Sequence, residues 1–420
     1  MGNIKQSELK EIILFILLIL FNRVIISIGG ELSISSIFIM LTSFVWIRRI
    51  DFRNRIIKNI LHLYIFLFIS QVFAEFFSDT TMIDKVKGVA ITVSSAFTFF
   101  YFFYRFVRNP SLVKFFFLGT ALSYIIMPNR LSEIEGSEFG YYKFTLIPIL
   151  SNLLLFATLQ FRGAIFKRYW PHLIALVGGI FIMTGARSSG LTIFIIGAVT
   201  YIISRHRSIT AKSIYKVGAT LVILLYAVYA LLYVPAVMNG SLDSVGNSAQ
   251  LKEVENPYNP INLLMQGRTD SFVPFIAFMD KPLTGYGYGA EDPSMKYTKL
   301  LYTLKGADEP IDGFDLRGKI PAHSVVGAYA ASYGICALLA LLWLLGYVFN
   351  LGVKMLLDKG IYIYVTAYFI FNIIWNVPFS PAAHFKTSIP IVLSFLTALY
   401  VFKINKRIID EKQNLLYHNR

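Results

Sequence analysis

Long apolar runs recur along the whole chain and constrain its fold more than any other feature of the sequence. From residue 12 to residue 402 they are repeatedly long enough to cross a bilayer core as an α-helix, which takes roughly 17–25 residues. The chain of 420 residues is 56% hydrophobic and only 15% charged. A water-soluble fold of this size would lack the polar residues to cover its surface, so the sequence predicts an all-α polytopic integral membrane protein.

About twelve transmembrane helices are predicted, most of them joined by short connections. Residues 1–235 hold spans 1–9, residues 236–322 form one large loop between spans 9 and 10, and residues 323–420 hold spans 10–12 and a C-terminal tail. An even number of spans places both termini on one side. The predicted spans are 12–28, 32–47, 57–77, 88–106, 113–127, 143–161, 172–186, 190–204, 214–235, 323–349, 361–377 and 388–402.

Basic residues fall in every second connection. The formal net charge is +15, but Lys and Arg do not form one patch with interleaved aromatic residues, so topology explains them better than a nucleic-acid partner does. By the positive-inside rule the termini and the basic connections are cytoplasmic, and the others face outward. The basic connections carry Arg48, Arg49, Arg53, Arg55, Lys58, Arg105, Arg108, Lys114, Arg162, Lys167, Arg168, Arg205, Arg207, Lys212, Lys216, Lys354 and Lys359; the neutral ones are 29–31, 78–87, 128–142, 186–189 and 378–387.

The outward connection Ala236–Ala322 is far longer than a usual loop. Long loops of compact proteins are mostly functional, and the many Pro, Gly and Asp residues of this one predict a partly helical lid. Within it, Arg268 directly precedes Thr269, Asp270 and Ser271, which are good helix-capping residues. The pattern predicts Arg268 at a helix N-terminus, where free N–H groups and a guanidinium bind phosphate; the alternative is a surface arginine.

Three further motifs lie on the same predicted outer face. Arg187 occupies the short turn of residues 183–190, MTGARSSG, where a buried charge needs a partner unless the side chain reaches the interface. Tyr286 and Tyr288 alternate with glycines and offer rings for sugars or lipid headgroups, or form a plain interfacial turn. His323 and Ser324 close the loop where the chain re-enters the membrane, and a histidine there takes a proton from a hydroxyl or acts as a polar anchor.

This combination resembles the O-antigen polymerase and ligase superfamily, and most closely Wzy-type O-antigen polymerases. The resemblance rests on residues 183–190, 267–289 and 321–335 and on the arrangement of about twelve spans. It implies a GT-C-like membrane glycosyltransferase of the bacterial inner membrane with a periplasmic active site. These families usually carry Asn after the loop histidine, whereas this chain carries Ser324.

The resemblance also implies roles for individual residues. Arg187 and Arg268 would bind the pyrophosphate of an undecaprenyl-pyrophosphate-linked glycan donor, and His323 would assist attack by a hydroxyl of the lipid-linked acceptor. Tyr286, Tyr288 and Ser324 are candidate substrate-binding residues. A chain-length regulator and a flippase are possible partners, and neither a cofactor nor a metal is expected, because the sequence has no DxD, HExxH or CxxC motif.

Several alternatives remain open at this point. An O-antigen ligase would transfer the glycan to lipid A-core, and an oligosaccharyltransferase would transfer it to a protein. A lipid-linked oligosaccharide flippase would move its substrate unaltered, but such transporters usually have related halves and ionisable groups at mid-bilayer. A loop carboxylate is an alternative base; the candidates are Asp270, Asp280, Glu291, Asp292, Asp308, Glu309, Asp312 and Asp315.

Overall fold

The computed structural model describes residues 6–27, 31–128, 138–161, 163–206, 210–240, 256–304 and 318–418. Nearly all of them are helical, and their one sheet is a hairpin of β1 (Ile25–Ser27) and β2 (Glu31–Ser33). The helices are α1 (Gln6–Phe21), α2 (Ile34–Leu41), α3 (Ser43–Trp46), α4 (Arg55–Phe76), α5 (Met82–Arg108), α6 (Leu112–Ile126), α7 (Tyr142–Gln160), α8 (Ala164–Met183), α9 (Arg187–Arg205), α10 (Ala211–Val228), α11 (Pro260–Asp280), α12 (Lys296–Leu304), α13 (Val325–Leu357), α14 (Ile363–Phe379) and α15 (Ser388–His418). Short helical segments also occur at Ile47–Arg49, Glu138–Tyr141, Tyr229–Tyr233, Val234–Met238 and Ala382–Phe385.

Seven helices of the described ranges are long and apolar enough to cross a membrane, and three shorter apolar helices accompany them. These ten coincide with the predicted spans from 57–77 onward, so the prediction of an all-α membrane protein is confirmed. The first two predicted spans look different. Span 12–28 corresponds to α1, which ends at Phe21 before the β-hairpin. Span 32–47 is divided between α2 and α3 at Thr42, whose hydroxyl donates to the carbonyl of Phe38 at 2.7 Å.

The basic connections meet at one end of the bundle, called here the basic end. Arg49 and Arg108 both donate to the hydroxyl of Tyr104, at 3.2 and 2.5 Å. Arg105 lies 3.5 Å from Glu11 of α1. Because these contacts join α1, the 3₁₀ turn Ile47–Arg49 and α5, the N-terminal helix begins at the same end as the first two basic connections.

The neutral connections meet at the opposite end, called here the loop end. The backbone N–H of Tyr288 donates to Glu75 at the end of α4, at 3.0 Å. The hydroxyl of Tyr142 bonds to that of Thr184, which joins the start of α7 to the end of α8. Alternate connections therefore lie at opposite ends, as a polytopic chain requires.

Tight glycine packing joins α8 to α9 across the MTGARSSG turn. A Cβ added at Gly178 would lie 2.3 Å from the backbone nitrogen of Phe194, and one at Gly190 would lie 2.6 Å from that of Ile182. Small residues let two helix backbones approach closely in a membrane. Gly190 thus serves helix packing, and Gly185, with φ of +92°, forms the turn itself.

Some predicted features lie outside the described residues. They are residues 29–30, 129–137, 241–255 and 305–317 of the predicted connections, Arg162 and Arg207, and the loop carboxylates Asp308, Glu309, Asp312 and Asp315.

Candidate active site

The backbone of His323 is held at two points by the neighbouring helix α11. Pro274 has no N–H, so the carbonyl of Asp270, four residues earlier, loses its usual helical donor. The N–H of His323 donates to that carbonyl at 3.3 Å, and the hydroxyl of Ser271 donates to the carbonyl of His323 at 3.0 Å. Pro274 also packs closely on Gly327 of α13. The proline that interrupts the bonding of α11 thereby fixes the position of His323.

The imidazole of His323 faces a carboxylate on one side. Its Nδ1 lies 3.6 Å from Oδ2 of Asp270, and the side chains are 42% and 16% exposed. A carboxylate beside Nδ1 orients the ring and stabilises the imidazolium, which suits the histidine to exchange a proton with a substrate. Asp270, one of the loop carboxylates considered as an alternative base, is thus placed as a partner of His323.

Ser324 caps the N-terminus of α13. Its buried hydroxyl oxygen accepts the N–H of Gly327 at 3.0 Å, and its carbonyl accepts the N–H of Ala328 at 2.7 Å. Serine and asparagine are both among the best N-cap residues. Ser324 therefore keeps the capping function that Asn would have at this position, and its hydroxyl acceptor is used within the protein.

Arg268 lies at a break within α11. Its φ of −141° and ψ of 29° are non-helical, so the helix restarts directly after it, while Thr269 is fully buried. The predicted helix start at Arg268 therefore corresponds to a restart in the middle of a longer helix. The side chain is partly exposed, two residues before Asp270.

Arg187 is the first residue of α9. Its guanidinium carbon lies 5.2 Å from the ring centroid of Tyr233, at the end of the helical segment that follows α10. The next residues, Ser188 and Ser189, line a cavity within the loop end. Arg187 therefore directly precedes residues that line this cavity, while its own side chain lies against the ring of Tyr233.

The glycine-tyrosine segment fills a break in α13. Gly334 has a φ of +71°, which interrupts that helix and leaves the carbonyls of Ala331 and Ser332 as acceptors for the N–H groups of Tyr286 and Gly287, both at 2.8 Å. A Cβ added at Gly334 would lie 2.2 Å from the carbonyl oxygen of Leu283. The segment is thus an extended chain packed against an opened helix, which explains its glycines.

Both tyrosines of that segment have partners inside the protein. The hydroxyl of Tyr286 bonds to that of Tyr297 at 2.8 Å, which in turn donates to Asp280 at 2.6 Å. Tyr288 packs against Gly88 of α5. Both residues also line a cavity of about 290 Å³, so their sugar-binding role stays a prediction while their structural role is described.

Two further loop carboxylates have structural partners. Asp280 accepts a hydrogen bond from Lys296 at 2.6 Å, and this contact, together with that of Tyr297, lowers the pKa of Asp280. Asp292 is buried and accepts the backbone N–H groups of Lys296, Tyr297 and Thr298 at the start of α12. Both fix α12 in place.

Two adjoining cavities lie beside α6 and α15 at the loop end. One, of about 360 Å³, also borders α7, α9 and α14 and is lined by amide and hydroxyl groups that include Asn152, Asn372 and Asn376. The other, of about 820 Å³, borders the end of α1 and is lined by Arg23, Lys386 and both polar and apolar residues. They share the walls Phe116, Thr120, Tyr124, His384 and Ser388.

His384 lies where the two cavities meet. Its Nδ1 is 3.1 Å from the hydroxyl of Ser388. Burial lowers the pKa of His384, and the charge of His323 lowers it further. Burial and the bond to Ser388 thus hold His384 in the wall that the two cavities share.

Sequence reasoning missed His384, Lys386 and Arg23, because each stands in a connection that the charge pattern classed as neutral or as the end of a span. A histidine and a lysine in the outer connection 378–387 were the available signal. No protein-family model, curated protein or solved structure matches this chain. The likeness to O-antigen polymerases therefore rests on the sequence motifs.

Proposed function

We propose that the protein is a glycosyltransferase that polymerises undecaprenyl-pyrophosphate-linked repeat units into an O-antigen-type polysaccharide. The observation that carries the proposal is the seat of His323, whose backbone is held by Asp270 and Ser271 and whose Nδ1 faces the Asp270 carboxylate. An imidazole fixed in this way is suited to general-base catalysis. Amide-rich and cationic cavities at the same end of the bundle suit a sugar and a phosphate.

The proposed step is a direct displacement at the anomeric carbon of the donor glycan. An acceptor hydroxyl gives its proton to Nε2 of His323, its oxygen forms a bond to the anomeric carbon, and the bond to the diphosphate breaks. The lipid diphosphate leaves with the electron pair, and Arg187 and Arg268 stabilise its charge. Asp270 stabilises the imidazolium, and the configuration at the anomeric carbon inverts.

The proposed location is the bacterial inner membrane with the loop end toward the periplasm. This orientation follows from the positive-inside rule applied to the basic end. The lipid-linked donor and acceptor then reach the site from the outer leaflet.

Reconstitution tests the proposal. Purified protein is mixed with lipid-diphosphate-linked repeat units, and the products are separated by size. A ladder of multiples formed without lipid A-core supports the polymerase, whereas glycan transfer that requires lipid A-core supports the ligase. Translocation of the substrate across proteoliposomes with no new glycosidic bond would contradict both and support a flippase.

A further inference from the structure

The cavity lined by Arg23 and Lys386 is outside the group of residues that the sequence motifs assign to the donor. It has a volume of about 820 Å³, within the range of ligand pockets. Arg23 follows α1, and Lys386 lies between α14 and α15. Neither Arg187 nor Arg268 lines it.

Arg23 is held so that part of its guanidinium has no protein acceptor. Its Cζ lies 4.0 Å from the ring centroid of Tyr124, and its Nη1 is buried without a hydrogen-bond partner among the described residues. A buried donor of a charged group left in this state is costly, and an anion that accepts its hydrogen bond removes that cost. An anionic group is therefore the ligand chemistry that this end of the cavity fits.

The rest of the wall is partly polar and partly apolar. Its hydroxyl and amide groups include Asn22 and Ser123, and its aliphatic part consists of Ile19, Val24, Ile25 and Ile391, of which Ile25 is exposed. Cations beside aliphatic side chains at the end of a membrane helix match a molecule with a phosphate attached to a hydrocarbon chain. A free phosphate would use the cations and leave the aliphatic wall without a partner.

We infer that this cavity binds the phosphate and the first isoprenyl units of a second lipid-linked substrate. The inference rests on the proposed function, because a polymerase joins two lipid-linked glycans and must accommodate two lipid phosphates at once. Arg187 and Arg268 serve one of them, and Arg23 with Lys386 serves the other. The adjoining amide-lined cavity then receives sugars attached to the second lipid.

Binding measurements without turnover test this site. Undecaprenyl diphosphate is titrated into the full chain in phosphatidylcholine nanodiscs, and bound lipid is counted by native mass spectrometry. Two bound lipids are expected for the wild type. Arg23→Gln should weaken the second binding event about tenfold or more, since it removes a charge-assisted hydrogen bond, and Arg23→Lys should weaken it less.

Controls separate the site from general effects. Lys319→Gln is the matched control, because Lys319 is a cation of the loop end that lies outside this cavity. It should bind two lipids as the wild type does. Undecaprenol, which lacks phosphate, should bind equally to wild type and Arg23→Gln.

Two results would overturn the inference. One is wild-type binding of two lipids by Arg23→Gln; the other is equal displacement of the second lipid by phosphatidylglycerol, which would make the cavity a general anionic-lipid site. If two lipids bind in an Arg23-dependent manner but no ladder forms in reconstitution, the site stands and the proposed polymerase function fails. If Arg23→Gln forms a ladder at the wild-type rate, the proposed polymerase function stands and the second lipid site fails.

Discussion

Cations at the two ends of the bundle have different surroundings. At the basic end, Arg49 and Arg108 donate to the oxygen of Tyr104, and Arg105 pairs with Glu11. At the loop end, Arg23 and Arg187 lie over aromatic rings, as Arg105 and Arg108 also do at the basic end, but no ion pair joins either of them to a carboxylate of the described residues. A guanidinium bonded to the protein's own oxygens has fewer donors left for a ligand than one held by a ring face.

The difference indicates two reasons for positive charge in one protein. Arginines and lysines of the basic connections are expected to orient the chain in the membrane. At the loop end, Lys296 pairs with Asp280 and Lys319 with Asp84, whereas Arg23 and Lys386 line a cavity. Net charge alone, at +15, does not separate these classes, but their partners do.

Topology reporters give the most complete test of this comparison. A reporter that works only in the cytoplasm should be active when fused after Arg55 and inactive near Asp292. A reporter that works only in the periplasm should show the reverse, an all-or-none difference. Alkaline phosphatase and green fluorescent protein activities measure it. A cytoplasmic signal near Asp292 would mean that the loop end faces the cytoplasm, which would contradict a periplasmic site.

Replacement of the predicted base should have the largest effect on turnover. His323→Ala should slow glycan transfer by about 10²–10⁴-fold, the usual contribution of a general base, while lipid binding persists. Transfer rates and nanodisc binding are measured on the same preparation. His206→Ala, at an exposed histidine of the basic end, is the control and should transfer normally.

The pH dependence of the wild type distinguishes a base from a phosphate donor. A base acts when neutral, so transfer should fall as acid protonates His323. A histidine that only donates to the diphosphate acts when protonated and would gain on acidification. If transfer by the wild type is undiminished in acid while His323→Ala is inactive, His323 does not act as a base and its role is to donate to the diphosphate.

The loop end also depends on the break in α13 at Gly334. Gly334→Ala forces a Cβ against the carbonyl oxygen of Leu283 at a φ of +71° and should lower the free energy of unfolding by about 2–4 kcal/mol. Gly346→Ala, in the same helix with open space around it, should instead raise it by about 0.5–1 kcal/mol. Thermal unfolding in detergent compares them, and equal midpoints would contradict the packing described for Leu283 and Tyr286.

These residues mark how far the sequence could predict the structure. Apolar length predicted twelve spans, and ten of them coincide with apolar helices, because that signal is local and summed over about 20 residues. It did not predict the break at Gly334, which depends on the distant residues Pro282 and Leu283, or the division at Thr42, where a single hydroxyl bonds to the carbonyl of Phe38. The motifs pointed to His323 and Arg268, but the bond from His323 to the carbonyl freed by Pro274 needs the fold.

Exchange of arginine for lysine tests the two classes of cation directly. Arg268→Lys and Arg187→Lys should each reduce transfer about tenfold or more, because a lysine keeps the charge and loses the planar pair of donors. Arg49→Lys at the basic end should leave transfer unchanged. Rates are compared at equal amounts of membrane-inserted protein, and an active Arg187→Lys, Arg268→Lys double variant would contradict the phosphate clamp.

The smallest expected effect concerns the stability of the loop end in acid. Burial and the charge of His323 lower the pKa of His384 below its usual value of 6.5, so the folded state disfavours the protonated ring. The stability contributed by neutral His384 is complete above the unfolded-state pKa and is lost as pH falls through the folded-state value. Thermal midpoints measured between about pH 7.5 and about pH 5.5 should therefore fall more steeply for the wild type than for His384→Gln. His206→Gln at the exposed basic end should keep the wild-type slope. If His384→Gln kept that slope as well, the protonation of His384 would not be linked to folding, and the cavity around it would be open enough to solvate the charged ring.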